Sequence, residues 1–128
     1  MIDAEPITAA VSTVKRFLGA LEKRDLARAG RLLAEDFAME FPGGERFSCL
    51  SDLVAWAGTR YRYANKDYDH FDALADGPDI IIYCFGKLRG EWLSGEAFAD
   101  IRFIDRFVMR DGKLVDQRVW NDLAEARP

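Results

Sequence analysis

The sequence predicts an α+β fold, with N-terminal helices packed on one face of a curved antiparallel sheet. Two patterns lead there. Apolar residues recur at helical spacing in the first part of the chain, and the second half alternates or runs apolar as strands do. No internal repeat, low-complexity segment or linker divides the chain, so its 128 residues read as one domain, 1–128.

Ile7, Ala10, Val11, Val14, Phe17, Leu18 and Leu21 fall on one helical face, with Pro6 in the first turn. Asp25 is placed to cap a second helix whose apolar face is Leu26, Ala29, Leu32 and Leu33. A short strand follows over residues 37–41 and stops at Pro42-Gly43-Gly44. Leu50, Leu53, Val54, Trp56 and Ala57 predict a third helix, capped by Ser48 or Ser51. Strands are then expected over residues 68–74, 80–92, 96–109 and 113–123, with turns at residues 75–79 and at Asp111-Gly112.

The last hairpin holds the most informative residue. Phe103, Asp105, Phe107 and Met109 share one face of a strand, so a carboxylate sits in an apolar stripe. Such an acid must be paired, hydrogen-bonded or kept protonated. A two-residue turn would set Asp105 opposite Arg118. A three-residue loop with Gly112 in a left-handed bulge would set it opposite Gln117. The set Val115, Gln117, Val119, Asn121 and Leu123 is more apolar than its alternate, which favours the bulged register.

Bulk properties exclude several classes. The chain is 49% hydrophobic and 31% charged with net charge −4, and its pI is about 5.0, against the basic surface that nucleic acid requires. No apolar run reaches the ~20 residues of a membrane span, and the acidic start lacks the apolar core of a signal peptide. A cytoplasmic location is the expectation. Cys49 and Cys84 form no disulfide framework. No metal-ligand or nucleotide motif is present, and no cofactor is expected; Asp67, Asp69, Asp72, Asp76 and Asp79 have the wrong spacing for a calcium loop and read as solvated surface.

The element order, the stop at Phe41-Pro42-Gly43-Gly44, the hairpin Arg106-Phe-Val-Met-Arg-Asp-Gly-Lys113 and the ending Val119-Trp-Asn-Asp122 resemble the nuclear transport factor 2-like (cystatin-like) superfamily. Within it the chain is most similar to the polyketide-cyclase (SnoaL)-like group. The resemblance implies a cone-shaped sheet closed by three N-terminal helices, an apolar pocket, and frequent homodimers through the outer sheet face. Ketosteroid isomerase, a relative, has a protonated aspartic acid in its oxyanion hole, and Asp105 falls on that position. Its tyrosine helper falls on Phe17 and its aspartate base on Phe41, so both are lost. In limonene epoxide hydrolase, another relative, a catalytic aspartate falls near Val119; Arg89 and Glu91 echo that enzyme's arginine–acid pair.

The candidate site is therefore Asp105, as acid or hydrogen-bond donor, with His70 as the general base if it faces the pocket. Phe17, Met39, Phe41, Trp56, Phe103, Phe107, Gln117, Val119 and Asn121 are expected to line the pocket. The competing reading makes Asp105 an internal polar residue satisfied by Gln117 or Asn121, in a cone filled by Phe17 and Phe41, with His70 on the surface. Lys87, Arg89, Arg102, Arg106, Asp116, Arg118, Trp120 and Asp122 are expected to share the outer sheet face, where they suit a two-fold dimer. The expected partners are a small apolar ligand and a second copy of the chain. The expected chemistry, if any, is isomerisation, cyclisation, dehydration or hydration of a carbonyl or polyketide-like substrate.

Overall fold

The computed structural model of the chain describes residues 5–128; residues 1–4, most of the acidic start considered above, lie outside them. Helix α1 (Glu5–Glu22) carries the predicted amphipathic pattern, burying Ala10, Val14, Phe17 and Leu18 against the sheet. Asp25 caps α2 (Leu26–Gly30), accepting a 3.1 Å hydrogen bond from the Arg28 N–H. The helix is shorter than its apolar pattern predicts. Leu32 and Leu33 leave it because the last strand captures them: the Leu114 N–H donates to the Leu32 carbonyl at 3.0 Å, and Leu33 pairs with Leu114. The first strand, β1 (Leu33–Phe41), starts earlier than expected for the same reason.

The Pro42-Gly43-Gly44 stop turns β1 into a short partner that sequence reading missed, β2 (Glu45–Phe47). Helix α3 (Leu50–Ala57) follows; its cap residue is Cys49, without a side-chain cap bond, rather than Ser48 or Ser51. Thus two helices, not three, precede the sheet. Strands β3 (Tyr61–Asp76), β4 (Asp79–Trp92), β5 (Ala97–Arg110) and β6 (Lys113–Asn121) complete the sheet, followed by a single turn, α4 (Leu123–Ala126), that was not foreseen. The order is β2-β1-β6-β5-β4-β3, a curved sheet that does not close. It is mixed rather than antiparallel, because β6 returns alongside β1 in the same direction.

The β5–β6 hairpin corrects both expected registers. The turn has two residues, Asp111 and Gly112, both with positive φ (51° and 75°), as a type I′ turn requires. A bulge at Val115 then adds one residue to β6. Asp105 pairs with Val119, and Gln117 pairs with Phe107. The inner face is still the expected one, because two one-residue shifts restore the alternation.

Two glycines fix the join of β3 to β4. A Cβ on Gly86 would overlap the Asp67 carbonyl, and one on Gly90 would overlap the Tyr63 carbonyl. Register irregularities in β3, between Tyr61 and Tyr63 and between Tyr68 and His70, adjoin these close approaches. Inside the curve, Phe17 packs edge-on against Phe37 and Phe107, each at 6.0 Å between ring centroids. Phe17 thus fills part of the concave face.

Candidate functional site

Asp105 lies mid-strand on the inner face of β5, between Cys84 of β4 and Val119 of β6, and is fully buried. No hydrogen bond within 3.5 Å reaches either of its carboxylate oxygens, nor the buried Oε1 of Gln117. The nearest cation is Lys66 of β3, with Nζ 3.6 Å from Oδ2. Lys66 is itself largely buried and lies over the Phe103 ring, 5.2 Å from its centroid. Burial drives the Asp105 carboxyl above the usual carboxylate range. The Lys66 charge and the Gln117 amide pull it back only in part.

These groups border a cavity of about 70 Å³. That is room for a few waters or the reacting end of a small molecule, and less than the ~300 Å³ of a typical ligand cleft. Leu18, Leu88, Phe103 and Val119 give it apolar walls; Trp56 and Phe41, 5.6 Å apart edge-on, flank it. Asp105, Lys66, Gln117, Asn121 and Glu22 are its polar groups, with Arg24 and Arg60 nearer solvent. Glu22, at the end of α1, is anchored by a 2.7 Å bond from the Lys66 N–H to Oε1. The side chain of Asn121 is already engaged, since Oδ1 accepts from the Leu123 N–H at 3.1 Å.

The cavity therefore gathers Phe41, Trp56, Phe103, Asp105, Gln117, Val119 and Asn121 from the expected set. Phe17, Met39 and Phe107 are buried in the core instead and are not on its wall. His70 is not brought to Asp105. It lies on the opposite face of β3, stacked on Phe85 at 4.4 Å and half exposed. Its Nδ1 is 2.9 Å from Asp69 and its Nε2 is 3.5 Å from Asp72. The Asp69 hydrogen bond and the Asp72 charge raise its pKa. The bulge beside it puts its side chain outward, which alternation alone leaves undecided. Arg89 and Glu91 are also on the outer face and bind different partners, Asp67 and Arg62.

Sequence reading missed Lys66 and Glu22. Lys66 lies in a polar run, residues 61–69, that offers little apolar alternation. The spacing Ala64, Lys66, Tyr68 was the available signal, and only a strand beginning at Tyr61 gives it meaning. Burial, with the ionisable neighbours Cys84, Glu22 and Asp105 adding to it, holds the Tyr68 hydroxyl well above its usual pKa. Burial likewise pushes the Cys84 thiol up to about 12, so Cys84 is an inert wall residue. Among the described residues no cluster of His, Cys, Asp and Glu could hold a metal, and no helix is long and apolar enough to cross a membrane.

A family model described as a SnoaL-like domain matches residues 14–117. Among solved structures, a nuclear transport factor 2-like protein of unknown function from Burkholderia pseudomallei K96243 superposes with TM-score 0.74 at 20% identity, over 92% of this chain and 94% of its own. A protein described as a SnoaL-like polyketide cyclase from Jannaschia sp. CCS1 gives 0.71 at 15% identity, over 98% and 94%. The protein TerC, co-crystallised with polyporic acid, gives 0.74 at 15% identity, over 92% and 95%. No curated protein sequence matched.

Proposed function

Since the chain belongs to the SnoaL-like domain family, we propose that it binds a small carbonyl-containing molecule in the Asp105 cavity and performs acid–base chemistry on it. One observation carries the reading. A fully buried carboxyl with no hydrogen bond inside 3.5 Å among the described residues borders an apolar cavity, 3.6 Å from a lysine. Unsatisfied buried polar groups are costly, and a ligand carbonyl oxygen would accept from the protonated Asp105 carboxyl and from the Lys66 ammonium. The relatives described as a polyketide cyclase and as a complex with polyporic acid lend support, since both point to oxygenated carbon skeletons.

In this reading protonated Asp105 donates a hydrogen bond to the substrate carbonyl. Lys66 places positive charge beside the oxygen as it becomes an oxyanion. Glu22, the second carboxylate on the wall, takes the α-proton in the role that His70 is too distant to fill. Such a device serves isomerisation, cyclisation or dehydration alike. The test is α-hydrogen exchange in D2O, followed by proton NMR on small enolisable ketones such as cyclohexanone and 2-tetralone. The protein should accelerate exchange of at least one of them, and Asp105→Asn and Glu22→Gln should each slow it about 100-fold. Exchange no faster than in buffer, or unchanged in Asp105→Asn, contradicts the catalytic role.

A second reading concerns assembly. Phe85, Ile104 and Trp120 lie side by side across the outer sheet face, and Ile104 and Trp120 are exposed. They lie in a broad groove rimmed by Lys87, Arg102 and Asp122. We propose that this face joins two copies into a homodimer. Sedimentation equilibrium at micromolar concentration should give twice the chain mass, and Trp120→Glu should return it to monomer. A monomeric mass for the wild type refutes the interface.

A further inference from the structure

We propose that the preferred ligand of the cavity is an anion, a carboxylate-bearing carbonyl compound, whose acid group is held at the entrance by Arg24 and Arg60. This rests on the cavity being a ligand site, and it adds the substrate class and its orientation.

Every arginine on a sheet strand has an acid within 4.0 Å: Arg46, Arg62, Arg89, Arg102, Arg106, Arg110 and Arg118. Arg24 and Arg60, like the other arginines outside the strands, have no acid within 4.0 Å among the described residues; of these only Arg24 and Arg60 line the cavity that also contains Glu22 and Asp105. Each is instead held by uncharged neighbours. Arg60 follows α3, with its N–H bonded to the Ala57 carbonyl at 2.9 Å and its guanidinium 4.8 Å from the centre of the Trp56 ring. Arg24 follows α1, with Nη1 donating to the Leu21 carbonyl at 2.8 Å. A guanidinium has five donors in a fixed fork. One carbonyl or one ring leaves most of them unused.

The polarity of the cavity is thus ordered. Its solvent side offers two guanidinium groups without acid partners, and its deep end offers a buried carboxyl and a lysine that meet a neutral carbonyl. A ligand with an apolar body, a carbonyl at one end and a carboxylate at the other would satisfy both ends. An arginine fork matches a carboxylate in a bidentate manner, which gives orientation as well as attraction. The net charge of −4 makes this local positive entrance a departure from the bulk surface, so it adds selectivity.

The probe pair is 4-acetylbenzoate and its methyl ester, which differ in charge and share a ketone at the opposite end of the ring from the acid group. Titration calorimetry at low ionic strength should show the acid binding at least tenfold tighter than the ester. Arg60→Ala and Arg24→Ala should each weaken the acid about three- to tenfold and leave the ester unchanged, with far-ultraviolet circular dichroism confirming that both variants fold. Added salt should weaken only the acid. Equal affinities, or arginine variants that leave the acid-to-ester ratio unchanged, overturn the anion preference while the cavity reading stands. If neither compound binds, the cavity reading fails and this inference fails with it.

Discussion

At the residue scale the molecule turns on Asp105. Its folded environment favours the protonated form, so between the unfolded value, ~3.9, and the raised folded value the native state holds a proton that the unfolded chain releases. This carboxyl therefore favours folding least at high pH. Its penalty fades as pH falls toward the unfolded value. An asparagine in the same place cannot ionise. Asp105→Asn should accordingly gain stability relative to wild type near pH 8, with the gap closing toward pH 4, as thermal unfolding followed by circular dichroism will show. A gap that does not vary with pH would mean that Asp105 is not held above its usual range. The placement of Asp105 in an apolar stripe was legible from period-two alternation, because that pattern depends only on parity. Lys66 was not, because its partner Asp105 lies on β5, two strands across the sheet, and a pairing so distant in sequence cannot be read from a polar run. His70 was undecidable for a related reason: one irregularity between Tyr68 and His70 reverses the face.

At the element scale, local pattern failed where distant strands captured a segment. Leu32 and Leu33 have helical spacing, yet β6 holds the Leu32 carbonyl and draws Leu33 into β1. β3 begins at Tyr61 although residues such as Arg62, Asn65 and Asp67 look unlike a strand. It is an edge strand, with β4 as its one neighbour among the described residues, and edge strands carry charge. The β5–β6 turn was recognisable from Asp111-Gly112, whereas the Val115 bulge has no local signature and shifted each pair by one. The join of β3 to β4 makes its own prediction. Gly86→Ala should cost about 1–3 kcal/mol or more, since backbone must move to admit a methyl group. Gly19→Ala, in α1 with nothing within 4 Å of the added carbon, should instead gain about 0.5–1 kcal/mol. Urea unfolding of the two variants separates these outcomes, and equal effects would contradict the close approach.

At the scale of the whole molecule, the sheet divides two tasks. Its concave face is largely packed by Phe17, Phe37 and Phe107, leaving a small cavity between α1, α3 and the sheet in which Asp105, Lys66 and Gln117 meet. Its convex face carries paired charges around an exposed apolar row. The α+β class and the helix-then-strand order were evident in the sequence. How far the cone would be filled was not, because the same phenylalanines can line a cavity or close it, and only their packing decides. The most direct measurement maps where small carbonyl compounds bind, by titrating cyclohexanone and 4-acetylbenzoate into 15N-labelled protein and following amide shifts. A ligand in the cavity should produce shifts centred on Lys66, Phe103, Asp105 and Gln117. Shifts confined to the outer face around Phe85, Ile104 and Trp120, or no shifts at all, would contradict binding there.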